Sequence, residues 1–148
     1  MFCRPALAAS RLKHPAEAWK RVQNLLKWPG LDAPARQMAE LLALEVAVTG
    51  DLDAATHAPI ATLLYQRALG AADRASVLWG AQAAVHWGQA RRASDRLQTW
   101  VADHPKDAAA WHTLSLAWSA QGQALRSVRA EAEARWAMLD LVGAVDRL

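Results

Sequence analysis

The stretch Gly88-Gln89-Ala90-Arg91-Arg92 returns 34 residues later as Gly122-Gln123-Ala124-Leu125-Arg126. At the same offset Ala81 aligns with Ser115, and Val77 aligns with Trp111. A small residue therefore aligns with a small one, and an apolar residue with an apolar one. Self-similarity at one fixed period of about 20–50 residues is typical of helical-repeat and other repeat architectures. The chain is therefore predicted to consist of repeated supersecondary units.

The composition of the chain favours helices over strands. Its 148 residues suit one domain, and 53% of them are hydrophobic, chiefly Ala and Leu. Phe and Tyr occur once each, against eight Trp. Ala and Leu lose little side-chain entropy in a helix, whereas a β protein needs many β-branched and aromatic residues. We expect an all-α protein.

Pro and Gly divide the chain into segments of one helix length each. Pro15, Pro34 and Pro59 suit a first helical position, where the missing N–H would have had no partner. Asp73 and Asp107 are predicted N-caps, because a carboxylate can accept the free N–H groups of a first turn. Loops this short join helices into antiparallel hairpins.

The unit from residue 74 to residue 107 shows how such a hairpin would be built. Small side chains at Ala81 and Ala93 let two helices approach closely, and Leu97 fills the space between hairpins. Gly88 supplies the left-handed backbone that ends the first helix, and Pro105 ends the second. One hairpin cannot bury its apolar face alone, so neighbouring units are expected to stack.

These positions resemble the tetratricopeptide repeat (TPR). The next unit resembles it through Trp111, Leu114, Trp118 and Gly122, and departs from it at Ser127 and Glu131. The resemblance implies antiparallel hairpins stacked as a TPR-like superhelix. We expect degenerate TPR-like helices over residues 1–73 and TPR repeats over 74–148, in one continuous domain. A further partial unit over 139–144 would share the helix from Gln123 to Leu139 and leave the last hairpin incomplete.

Residues 104–122 and 125–135 are similar to the C-terminal TPR region of bacterial periplasmic zinc metalloproteases of the BepA-like kind. That family places an HExxH peptidase domain before its TPR domain, and HExxH holds zinc with two His one helical turn apart. No two of the five His here are four residues apart: His14, His57, His86, His104 and His112. The resemblance thus implies a periplasmic, non-catalytic chain whose zinc would lie in a peptidase domain elsewhere.

The expected function is protein–protein interaction as the TPR portion of such a metalloprotease, binding substrate or partner polypeptides. The alternative is a free-standing TPR adaptor or assembly factor. In that case the chain would be a natural short protein and not part of a protease, and both possibilities stay open. TPR domains hold peptides in a concave groove along the first helix of each hairpin. By that resemblance the groove residues are Leu78, Gln82, Val85, His86, His112, Leu116 and Ser119.

Several other functions are not expected. The Arg residues are spread along the chain among acidic residues, whereas a nucleic-acid binder concentrates them on one face. No apolar run approaches a membrane span, and the one cysteine, Cys3, allows no internal disulfide. Self-association through the last hairpin is a further expectation, because no polar capping helix follows it.

Overall fold

A computed structural model describes residues 14–52 and 54–145, with side chains described for 14–52 and 60–139. This part of the chain contains seven helices and no strand, which confirms the all-α prediction there. The helices are α1 (Pro15–Leu26), α2 (Ala33–Thr49), α3 (Ala54–Gly70), α4 (Arg74–His86), α5 (Ala90–Asp103), α6 (Ala108–Ala120) and α7 (Ala124–Val145). The chain divides into two compact units, Met1–Ala83 and Ala84–Leu148, and the division falls inside α4.

Alternate helices begin in the same way, each after an aspartate. The Asp32 carboxylate accepts the N–H of Ala35 at 2.9 Å, and Asp107 accepts that of Ala110 at 3.2 Å. Asp73 accepts the N–H of Ser76 at 2.9 Å. Each bond satisfies one of the N–H groups that a first turn leaves without a carbonyl. The predicted caps at Asp73 and Asp107 are confirmed.

Helices α2, α4 and α6, which begin after these aspartates, also end in the same way: each is followed by one residue in the left-handed region. Gly88 has φ +75° and Gly122 has φ +70°, which confirms the left-handed backbone predicted at Gly88. The N–H of Gly122 donates to Ser119 O at 2.9 Å, and the next N–H donates to Trp118 O at 2.9 Å. This is the Schellman pattern of bonds, and α4 repeats it 34 residues earlier. At the end of α2, Asp51 takes this place with φ 50°.

Sequential helices pack on each other, as hairpins joined by short turns require. α1 packs on α2 and α2 on α3 in the first unit, and α6 packs on both α5 and α7 in the second. The small positions predicted to allow close approach are buried, including Ala81 and Ala93. Leu97 and Leu114 are also fully buried. The structure thus positions α5, α6 and α7 side by side.

Two predicted boundaries are wrong. α3 begins at Ala54, so Pro59 lies within the helix and not at its first position. Only the first four N–H groups of a helix lack acceptors, and Pro59 is the sixth residue of α3. Because proline has no N–H, one backbone hydrogen bond of the helix is missing there, yet the helix continues on both sides of Pro59. The helix predicted to end at Leu139 continues to Val145, through Gly143. One Gly costs a helix interior about 1 kcal/mol relative to Ala, which is not enough by itself to end a helix. The sequence also predicts Leu148 as the large apolar residue of the partial unit, and this residue lies outside the described part of the chain.

Candidate functional site

The residues predicted to line a concave groove lie on α4 and α6 with different degrees of exposure. On α4, Leu78 is buried. The other three α4 residues are half-buried: Gln82, Val85 and His86. On α6 all of them are exposed: His112, Leu116 and Ser119. The groove itself stays a prediction.

One groove residue, His112, belongs to a polar cluster around Glu131 of α7. His112 Nδ1 lies 3.1 Å from a carboxylate oxygen of Glu131, and the Ser115 hydroxyl donates to the same oxygen at 3.4 Å. Arg135 Nε lies 3.6 Å from the other oxygen. The hydrogen bond from His112, aided by the nearby positive charges and the Ser115 hydroxyl, lowers the pKa of Glu131 below its usual value.

The order of groups in this cluster does not activate a nucleophile. A serine is activated when an imidazole accepts its proton and a carboxylate holds the far side of that imidazole. Here the Glu131 carboxylate lies between the Ser115 hydroxyl and the His112 ring, and accepts from the hydroxyl itself. The arrangement therefore joins α6 to α7 as a structural contact.

A cleft of about 520 Å³ lies on another side of α6, between α5 and α7. Its lining is mainly apolar and aromatic, with polar side chains towards solvent. The lining residues are Gln98, Val101, Ala102, Pro105, Trp111, Leu114, Trp118, Arg126 and Arg129. We name this feature the α5–α7 cleft. Its volume falls in the range of pockets that hold small ligands or a few side chains of a peptide.

The floor of the α5–α7 cleft is fixed by hydrogen bonds at the turn from α5 to α6. The Trp111 indole N–H donates to Pro105 O at 2.9 Å, which sets the orientation of its ring. The Trp100 indole N–H donates to Asp107 at 3.1 Å, and Trp100 stacks on His104 with 4.0 Å between ring centroids. Asp107 also caps α6, so one carboxylate ties the turn to both helices. The Trp111 ring is therefore held in place before any ligand binds, beside a turn that Trp100 and Asp107 hold together.

Two arginines of α7 stand at the rim of the cleft. The Arg126 guanidinium carbon lies 5.9 Å from the centroid of the Trp118 ring, within the range of a cation–π contact. In the part of the chain with described side chains, no carboxylate lies within ion-pair distance of Arg126 or Arg129. An apolar cleft with unpaired guanidinium groups at its edge favours a ligand with apolar groups and a carboxylate.

A smaller cleft of about 340 Å³ lies in the first unit, bordered by α2, α3 and the start of α4. Its main charges neutralise each other, because Arg67 donates to Glu40 at 2.7 Å. Its Arg36 guanidinium donates to Leu26 O at 3.4 Å. This cleft therefore offers a charged ligand less than the α5–α7 cleft does.

The α5–α7 cleft was not predicted from the sequence, although its pattern is present there. Trp111, Leu114 and Trp118 have the i, i+3, i+7 spacing of one helix face. At 100° per residue this face lies roughly 130° around α6 from the face of His112, Leu116 and Ser119. The TPR resemblance directs attention to the second face, and the structure places the cleft on the first.

The described residues contain neither a metal-binding cluster nor a membrane-spanning helix. No three His, Cys, Asp or Glu side chains converge within residues 14–52 and 60–139 so as to hold a metal ion. Among the helices of residues 14–52 and 54–145, none has the length and apolar content that crossing a bilayer requires. Comparison of the chain with protein-family models, with curated proteins and with solved structures found no match.

Proposed function

We propose that this chain is a polypeptide-binding module of stacked, TPR-like helical hairpins, non-catalytic in itself, that holds an extended segment in the α5–α7 cleft. The observation that carries the proposal is the cleft itself, with its pre-set Trp111 and, at the rim, Arg126, which has no carboxylate partner among the described side chains. Repeated caps and repeated helix ends, 34 residues apart, support hairpin units.

A polypeptide fits this cleft better than a compact polar metabolite does. Apolar side chains of a segment would pack on Trp111, Pro105 and Ala102, which are accessible in the cleft, and would lose water contact there. A carboxylate nearby would meet Arg126, whose guanidinium can bind both carboxylate oxygens at once. The preferred segment is therefore apolar with acidic residues, which also suits the net charge of +3.

The origin of the chain in a periplasmic zinc metalloprotease is a second part of the proposal, and it rests on the resemblance of residues 104–135. In that setting the module would hold substrates or partners near an HExxH domain. The genomic reading frame tests this part: an HExxH domain encoded upstream in frame supports it, and a start and a stop codon at the present ends favour the free-standing adaptor.

A plug variant tests the cleft. Ala102 is exposed and lines the cleft, so Ala102→Trp should fill it without disturbing the core. We expect the affinity for a fluorescein-labelled peptide of Leu, Phe and Glu to fall by about tenfold or more, as measured by fluorescence anisotropy. Ala120→Trp is the matched control, because Ala120 is exposed at the end of α6 and does not line the cleft.

The peptide sequence and the rim charge provide a second test. A peptide with Lys in place of Glu should bind more weakly, and Arg126→Glu should reverse that preference. Ala120 lies one helical turn after Leu116 and next to Ser119, beside the groove predicted from the sequence. If Ala120→Trp abolishes binding and Ala102→Trp does not, the ligand lies in that groove and the cleft proposal is wrong. If neither peptide binds the folded protein, the binding function itself is contradicted.

A further inference from the structure

Helix α7 carries an apolar strip on the side facing away from its neighbours. Its buried residues are small and pack towards α6: Ala130, Ala134 and Ala137. Roughly 165° around the helix lies a row of exposed apolar residues that spans about 21 Å at 1.5 Å per residue. Its large members are Leu125, Val128, Trp136 and Leu139, exposed at 89%, 70%, 71% and 64%. We name these four residues, with the exposed Ala132 between them, the α7 strip.

The sequence of the α7 strip reads almost the same in both directions. Residues 128–136 run Val-Arg-Ala-Glu-Ala-Glu-Ala-Arg-Trp, which is symmetric about Ala132 except for the exchange of Val and Trp. Leu125 and Leu139 lie at equal distances on either side of the same centre. A two-fold axis at Ala132 would therefore bring like positions of two antiparallel helices into register. From this symmetry and the exposure of the strip, we propose that the chain forms a dimer through antiparallel pairing of α7 with α7 of a second copy.

The apolar contacts of this dimer follow from the register. Val128 of one copy packs against Trp136 of its partner, and Leu125 packs against Leu139, twice each. The small Ala132 lies at the crossing point, where it allows the two helices to approach closely. Isologous pairing of this kind closes after two copies, so it does not lead to longer chains of molecules.

The charges beside the strip are complementary in the same register. Arg129 and Glu133 border one side of the strip, and in an antiparallel pair this side faces the same side of the partner. Arg129 then lies within about 3 Å along the helix axis of the partner's Glu133, and the reverse pair forms as well. In the described part of the chain neither side chain has an ion-pair partner. On the opposite side Arg135 and Glu131 have the same spacing, but they already bind within one copy: Glu131 contacts His112 and Ser115 of α6, and Arg135 contacts Glu131.

Sedimentation velocity of the full chain tests the dimer. We expect twice the monomer mass of 16.1 kDa. Ala132→Arg should shift the protein to monomer, with a rise of about tenfold or more in the dimer dissociation constant, because a bulky charge would lie on the axis. Met138→Arg is the control: Met138 is exposed on the same helix but lies off the strip, so this variant should remain dimeric.

A charge exchange tests the register. Arg129→Glu and Glu133→Arg should each weaken dimerisation alone, and an equal mixture of the two proteins should form a heterodimer more tightly than either forms a homodimer. Ion pairs between Arg129 and Glu133 within one helix would not make the heterodimer tighter than the homodimers. Parallel pairing of the two helices would not do so either. A monomeric wild-type chain, an assembly larger than a dimer, or no rescue in the mixture would overturn the proposal. All of these measurements are made without peptide, and Ala132 and Glu133 do not line the α5–α7 cleft; Arg129 does, so peptide binding is tested on Ala102 and Arg126 instead.

Discussion

At the residue scale, the left-handed residue after α4 and after α6 determines where each helix ends. The left-handed conformation costs an L-residue with a side chain about 1–2 kcal/mol of conformational energy, because its Cβ clashes with the backbone. Gly has no Cβ and does not have this cost. Space is not the constraint, because a Cβ built on Gly88 or Gly122 would meet no atom within 4 Å. The backbone angle alone therefore selects Gly at both positions.

The first prediction concerns these two positions. Gly88→Ala and Gly122→Ala should each lower the free energy of unfolding by about 1–2 kcal/mol, measured by urea denaturation followed by circular dichroism. Gly70→Ala is the matched control: this Gly also has open space around it but no left-handed φ. It should be neutral or slightly stabilising. Equal losses in all three variants would contradict the role of φ.

The second prediction concerns the Asp73 cap. Hydrogen bonds from the Ser76 N–H and hydroxyl, and from the Gln37 amide, lower the pKa of Asp73 below 3.8. Because the folded pKa is the lower one, this stabilisation is complete above 3.8 and is lost as the pH falls through the folded pKa. Asp73→Ala should cost about 0.5–2 kcal/mol at neutral pH.

Asp73→Asn separates the cap from the charge. Asn caps a helix about as well as Asp but does not titrate, so this variant should stay close to the wild type at neutral pH. Below pH 4 the wild type should lose more stability than Asp73→Asn does, as measured by thermal unfolding across pH. Parallel pH profiles for the two proteins would show that Asp73 titration contributes nothing.

At the element scale, α3 and α4 approach each other at one glycine. A Cβ added to Gly80 would lie 2.8 Å from Ala68 Cβ and 2.9 Å from the Leu69 backbone N. The second neighbour is backbone and cannot rotate away. Gly80 therefore allows a close contact between two helices, a role that its mid-helix position in the sequence does not reveal.

The third prediction follows from that contact. Ala has the higher helix propensity, so Gly80→Ala in an exposed helix would gain about 1 kcal/mol. Here we expect a loss of about 1–3 kcal/mol, because the added methyl forces the two helices apart. Urea denaturation measures the sign directly. A stabilised Gly80→Ala protein would show that α3 and α4 do not approach as closely as described.

The sequence predicted features that depend on one residue and its near neighbours. The caps at Asp73 and Asp107 and the left-handed Gly88 follow from local chemistry, and all three are confirmed. The left-handed residue after α2 does not follow from the sequence, because Gly50 beside Asp51 is the stronger signal for that conformation. Gly50 instead has φ −86°, and Asp51 takes φ 50°.

Features that depend on how helices meet could not be predicted. Trp111, Leu114 and Trp118 form a visible helix face, but only the placement of α5 and α7 turns that face into a cleft floor. Glu131 looked like a defect in the repeat, since a large apolar residue is usual there. Its contacts with His112 and Ser115 come from residues 19 and 16 positions away, beyond the reach of any local pattern.

At the scale of the whole molecule, the chain combines sequential hairpins with a division into two compact units. In repeat proteins each unit contacts mainly its neighbours, so stability is close to a sum of local terms. A substitution should then weaken its own surroundings more than distant parts. A protein with a single shared core would instead lose protection everywhere at once.

The fourth prediction applies this to hydrogen exchange. Gly80→Ala lies in the unit Met1–Ala83, and Gly122→Ala lies in the unit Ala84–Leu148. Under native conditions, mass spectrometry should show that Gly80→Ala accelerates exchange chiefly in α2 and α3, and Gly122→Ala chiefly in α6 and α7. Amides of α4 should respond to both, because the division falls inside that helix. Uniform acceleration by either variant would mean that the chain opens as one cooperative body, and the additive description of the repeats would then be wrong.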